Sequence, residues 1–177
     1  MTDLKKARWL VTVTGPDRPG LVAAVAAVLA SMDVDLEDVT MTRLSGNFST
    51  MLLARGGHHD LLKSRLNELS EKLNLRIHVD PAVEQSGETE PNCYVSAIGP
   101  NRTGIVAEVS AVLARNNGNI LEMATCLLER TQVPVYMVRI EARIDASELE
   151  KIREELNEVG TRLAIEARIE PVEHTDF

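Results

Sequence analysis

The sequence is poor in cysteine and aromatic residues, and it has no long apolar run. Its two cysteines, Cys93 and Cys126, form neither a CxxC pair nor a disulfide framework. They read as reduced thiols inside a core. Aromatic residues make up only 3% of the 177 residues, so any core must be aliphatic. No apolar stretch reaches membrane-spanning length, and Met1-Thr2-Asp3-Leu4-Lys5-Lys6 lacks a signal-peptide core. A cytoplasmic location and no membrane partner are expected. Basic blocks are missing too, and the net charge is −8. Lys and Arg contacts to phosphates dominate nucleic-acid affinity, so direct nucleic-acid binding is not expected. There is no P-loop, nucleophile elbow or HExxH. The chain is therefore read as a non-enzyme without cofactor or metal.

What is present is a repeat. Gly15-Pro16-Asp17-Arg18-Pro19-Gly20 returns 84 residues later as Gly99-Pro100-Asn101-Arg102-Thr103-Gly104. Between Gly15 and Ala30, 11 of 16 positions are identical at that offset. The period is too long for a solenoid repeat and suits a small domain copied once. Each copy leads in with a short β-rich run, Trp9 to Val13 and Cys93 to Ile98, read as a strand. The Gly-Pro pair is expected to break that strand. Apolar residues then recur at helical spacing from Leu21 and from Ile105.

The remaining elements follow in order. Val34 to Leu44 is a strand, Ser45-Gly46-Asn47 a hairpin turn and Phe48 to Arg55 the return strand. His58 and His59 read as a solvated loop, and Asp60 as the cap of the next helix. Leu62, Leu66, Leu69 and Leu73 give that helix, and Leu75 to Val79 a fourth strand. The second copy repeats this plan. It has strands over Asn119 to Arg130 and Val133 to Ala142, and a turn at Thr131-Gln132. Pro134 marks a strand end, edge or bulge. Asp145 and Glu148 form a capping box, Leu149 to Val159 carries a helix, and Arg162 to Ile169 is the last strand, with a frayed tail from Glu170. The order predicts an α+β chain of two ferredoxin-like βαββαβ units, each an antiparallel sheet with helices on one face. Residues 1–80 are the first domain, 81–91 a linker and 92–177 the second domain. A bare sheet face or unpaired edge on so small a unit calls for a partner, the sister copy first and a second chain next, and a homodimer is expected.

The glycine turns offer binding chemistry. A helix N-terminus has free N–H groups and a partial positive charge, which suit a ligand carboxylate. Asp17 in the turn and Asp35 at the next strand become Asn101 and Asn119 in the second copy. Both pairs are expected at one end of the sheet, near the start of the first helix, where an acceptor could hold a ligand ammonium. The plainer reading is that Asp and Asn bond their own turn backbone. Leu21 and Ile105 would close the pocket against large side chains.

The chain resembles two ACT domains in tandem from Ala7 to Glu170, and its turn from Gly15 to Val22 is similar to that family's signature. The resemblance implies that the turn and the start of the second strand bind a small amino acid, often across an interface between two domains. The ligand-binding set would be Gly15, Asp17, Arg18, Pro19, Gly20, Leu21 and Asp35, with Gly99, Asn101, Arg102, Gly104, Ile105 and Asn119. Asn101 and Asn119 match asparagines that contact serine in an ACT regulatory domain; Asp17, Asp35 and Thr103 depart from the pattern. A free-standing pair is similar to the glycine cleavage system transcriptional repressor group. That implies sensing of glycine or serine and regulation of a transcription activator through protein contact. The other role the domains imply is a detached regulatory subunit of a metabolic enzyme.

Overall fold

The computed structural model describes residues 7–83, 90–129 and 134–172. The chain divides into two compact units, Met1–Gln85 and Ser86–Phe177. In the first, β1 (Arg8–Pro16), α1 (Leu21–Ala30), β2 (Asp35–Leu44), β3 (Asn47–Arg55), α2 (His59–Leu73) and β4 (Arg76–Pro81) follow in order. The sheet runs β2-β3-β1-β4, and each recorded pairing is antiparallel. The second unit has β5 (Cys93–Pro100), α3 (Ile105–Arg115), β6 (Asn119–Leu128), β7 (Val135–Arg143), α4 (Leu149–Leu163) and β8 (Glu166–Pro171), in the sheet order β6-β7-β5-β8. The expected α+β fold of two βαββαβ units is the observed one.

Alternation decides which face each sheet buries. Val11 and Val13 of β1 join Phe48, Leu52 and Ala54 of β3 beneath Leu21, Val25 and Leu29 of α1 and Leu62 and Leu66 of α2. Cys93, Val95 and Ala97 of β5 do the same beneath Val109, Leu113, Ile152 and Leu156. On the bare faces lie Thr12 and Thr14, and in the second unit Tyr94 and Ile98. Among the described residues no helix is long and apolar enough to cross a membrane.

Several local expectations need correction. The Gly-Pro pair does not break the strand, since β1 runs through Pro16 and β5 through Pro100. Asp60 lies inside the first turn of α2, the cap position is His58, and no side chain caps that helix. His59 is no solvated loop residue: its ring sits 5.1 Å from that of Trp9. α4 continues through Arg162 to Leu163, and β8 starts only at Glu166. Glu170 and Pro171 belong to β8 rather than to a frayed tail. Asp145 caps, accepting from Ser147 N–H at 2.9 Å, but it opens a short 3-10 turn rather than a capping box. That bond, and a second from the Ser147 hydroxyl, hold its carboxyl below the usual range. Pro134 lies just before β7. Thr131, Gln132 and residues 84–89 of the expected linker fall outside the described residues. Cys93 is buried and Cys126 exposed, so only one thiol is in a core. Burial pushes the Cys93 thiol up to about 11.

Gly15 and Gly99 are small because the chain that follows the second helix of each unit crosses them. A Cβ on Gly99 would lie 2.9 Å from Ile165 Cα and 2.7 Å from its Cγ2. A Cβ on Gly15 would lie 2.6 Å from Leu75 Cδ2, the end of a side chain. A side-chain tip can rotate away more cheaply than backbone can move. Gly99→Ala is therefore expected to cost about 1–3 kcal/mol, as for an overpacked core, and Gly15→Ala distinctly less. Urea unfolding of the two variants checks this, and equal losses would contradict it.

Candidate functional site

Each glycine turn ends in a residue that only glycine adopts cheaply. Gly20 has φ 91° and Gly104 has φ 99°, both left-handed, and a Cβ on either would meet nothing within 4 Å. Glycine is used here for backbone angle and not for space. The left-handed step turns the chain from the strand into the helix. In both helices the cap residue offers no side-chain acceptor. The first N–H groups to find their own helix are those of Ala24 on Gly20 O and Glu108 on Gly104 O, both at 2.9 Å. The N–H groups before them face an open cleft, with the positive end of the helix dipole behind them.

The cleft recurs in each unit, with a volume of about 490 Å³ in both. The first is lined by Asp17, Arg18, Pro19, Gly20 and Leu21, with Met41, Arg43 and Phe48 opposite. The second is lined by Asn101, Arg102, Gly104 and Ile105, with Tyr136 opposite. The turn is pinned to the following hairpin in each case: Asp17 N–H donates to Gly46 O at 2.9 Å, and Asn101 N–H to Pro134 O at 3.1 Å. The Arg18 guanidinium donates to Leu73 O at the end of α2, so Arg18 holds the turn as well as lining the cleft.

Most of the expected site residues come together, and four do not. Gly15 and Gly99 sit in the strands, at the close approaches already described. Asp35 and Asn119 are at the wrong end of their sheets. Asp35 pairs in register with Arg55, whereas Pro16, one residue before Asp17, pairs with Asn47 at the opposite end of β3. Asn119 pairs with Arg143, while Pro100 pairs with Val135. By strand rise the two members of each pair are on the order of 25 Å apart. The expectation that they share one end of the sheet is therefore wrong within a unit. The reason is topological: α1 carries the chain back across the sheet before β2 begins. Asp35 instead meets Arg55 at 3.4 Å, and nearby Glu37 bridges Arg8 at 2.6 Å and Arg55 at 3.2 Å.

Leu21 and Ile105 are almost fully buried, 3% and 2% exposed. They form the floor of the clefts, where they anchor the helices to the cores, and do not act as lids. Sequence reading missed Met41, Arg43, Phe48 and Tyr136. Phe48 stands opposite Gly15 and Tyr136 opposite Gly99. The repeat offset hides this correspondence, because β2 and β3 are joined tightly while β6 ends at Leu128 and β7 resumes at Val135. The alternation of each hairpin was the available signal.

The charges also differ. Asp17 is ion-paired with Arg43 Nε at 2.6 Å, across the turn from β2. Where the first unit has Asp17 and Arg43, the second has Asn101 and Leu127. The second unit also has a polar tie at the other end of α3, away from the cleft. Asn116, 2% exposed at the end of α3, donates to Val112 O at 2.9 Å and to Glu155 at 3.3 Å. Arg115 bonds the same carboxylate at 2.9 Å. The Arg115 bond first, then that of Asn116, holds the Glu155 carboxyl below its usual range. Among the described residues, no group of three or more His, Cys, Asp and Glu could hold a metal ion.

Residues 8–80 and 94–161 each match the ACT domain. A UPF0237 protein of Methanopyrus kandleri is 35% identical over 77 residues, 44% of this chain and 86% of the relative. The crystal structure of an unknown protein from Galdieria sulphuraria superposes with a TM-score of 0.81 at 23% identity, covering 94% of this chain and 99% of that one. That of a candidate glycine cleavage system transcriptional repressor superposes with a TM-score of 0.72 at 16% identity, covering 95% and 98%. At these identities the two structures show likeness of fold. Both units carry the ACT match, so the chain belongs to the ACT-domain family, as two ACT domains in tandem.

Proposed function

We propose that this chain is a non-catalytic regulator that senses a small amino acid, glycine or serine, and signals through a protein partner. Membership of the ACT family implies a regulatory role toward a small molecule. The observation that supports the finer reading is the recurring cleft. In both units an uncapped helix N-terminus behind a left-handed glycine faces about 490 Å³ of open space. The ligand carboxylate sits on the N–H groups of the first helical turn. Its ammonium approaches the side-chain carbonyl of Asn101 in the second unit and the carboxylate of Asp17 in the first. A transcription activator as the partner follows the resemblance to the glycine cleavage system repressor group. The net charge of −8 agrees with an indirect role in transcription.

The same geometry bears on assembly. Asp35 and Asn119 reach a turn only if a second copy of the chain supplies them. An edge running antiparallel to β2 would set the Asp35 end of one strand against the turn end of another. β2 and β6 are sheet edges, each ten residues long, and they leave Val39, Met41, Leu127 and Leu128 exposed. Such edges are templates for pairing. A homodimer joined along these edges would complete the site across the interface, and the protein would act as that dimer.

Two measurements test the reading. Calorimetry should detect glycine or serine, and Asn101→Ala should weaken binding by roughly 1.5–3 kcal/mol, the loss of a hydrogen bond to the charged ammonium. Unchanged affinity in the folded variant would place the ligand elsewhere, and no binding by the wild type would make the turns purely structural. Light scattering at micromolar concentrations should give the dimer mass. A monomer throughout would refute the interfacial site.

A further inference from the structure

The two clefts are equal in volume and alike in backbone, yet one of them is already occupied by the protein itself. In the first, the Arg43 side chain reaches across from β2 and places Nε 2.6 Å from the Asp17 carboxylate. Asp17 is largely covered, with its side chain 18% exposed, while Arg43 remains 69% exposed. Arg43 also lines the cleft, beside Met41. Its cation thus stands where a ligand ammonium would have to stand. In the second cleft the turn residue is the neutral Asn101, and the residue in place of Arg43 is Leu127, which does not line the cleft. No other pair of corresponding lining residues differs in charge between the copies: Arg18 and Arg102 correspond, as do Gly20 and Gly104, and Leu21 and Ile105.

We propose that Arg43 determines the order in which the two clefts fill, acting as an internal stand-in for the ligand ammonium, so that a zwitterionic amino acid takes the second cleft first. This rests on the functional reading above. To enter the first cleft the ligand must break the Asp17–Arg43 pair and then accept a free cation beside its own. An exposed ion pair of this kind accounts for at most about a fivefold loss of affinity. That is enough to set an order but not to close the site. Asp17 is intrinsically the stronger acceptor, since its carboxylate adds an opposite charge to the hydrogen bond with the ammonium, which the Asn101 carbonyl does not. Arg43 therefore masks what would otherwise be the tighter cleft, and removing it should invert the order.

The test is a glycine titration of the full-length, 15N-labelled chain followed by NMR, reading the amide signals of Gly20 and Gly104 as reporters of the two turns. In the wild type the Gly104 signal should move at lower glycine concentration than that of Gly20. In Arg43→Leu, which installs the residue found at position 127, the Gly20 midpoint should fall by up to about fivefold and precede that of Gly104. Arg43→Lys retains the cation and should keep the wild-type order. If Gly20 responds first in the wild type, or if Arg43→Leu leaves the order unchanged, the proposal is wrong while the amino-acid reading stands. Reversal in Arg43→Lys as well would equally overturn it, because the cation would not be what matters. If neither glycine responds in any of the three proteins, the amino-acid reading fails and this proposal fails with it.

Discussion

Each unit depends on one backbone constraint, a left-handed residue between the first strand and the first helix. At Gly20 and Gly104 the chain takes φ values of 91° and 99°, which cost a residue with a side chain roughly 1–2 kcal/mol. That step aims the helix back over the sheet so that Leu21 and Ile105 enter the cores. It also leaves the N-terminal N–H groups facing a cleft instead of a capping side chain. Folding and the proposed binding therefore share one residue type. An Asp or Ser at the cap would bring its own oxygen to those N–H groups and compete with any carboxylate for them. Glycine keeps them open.

Much of this architecture was legible in the sequence. The offset of 84 residues set out two units, and the helical spacing from Leu21 and from Ile105 located the first helix of each. What escaped was set by direction in space. Asp35 lies close to Asp17 in the chain and far from it in the sheet, because α1 returns to the end where β1 began. The end of α4 escaped for another reason. Ala164 adopts φ 52° as its C-cap, and alanine carries no stop signal, whereas the equivalent cap of α2 is Asn74, a residue that tolerates the left-handed region. Gly15 and Gly99 were read as turn formers, yet what requires them is the passage of Leu75 and Ile165. Periodicity cannot show such a crossing.

The duplication also shows how two clefts of one fold can drift apart while the scaffold stays fixed. The glycines, the bulge early in β2 and its counterpart in β6, and the cleft volumes are retained. Among the changes are side chains that face the cleft or belong to the first helix. α1 carries no charged residue along Leu21–Ala30, whereas α3 has Glu108, which bridges Arg162 of α4 at 2.6 Å. Asn116 and Glu155 add a further tie in the second unit. The second copy thus fastens its first helix to its second through polar side chains, whereas α1 meets its own core through apolar contact alone.

The account turns on the claim that the open N–H groups at the two glycine turns are a carboxylate site. The most direct measurement is a crystal structure of the protein grown with saturating glycine or serine. The account predicts ligand density in the second cleft, with the carboxylate within hydrogen-bond distance of the N–H groups that follow Gly104 and the ammonium directed at Asn101. A ligand bound away from both turns, or empty turns at a concentration where calorimetry reports saturation, would contradict it.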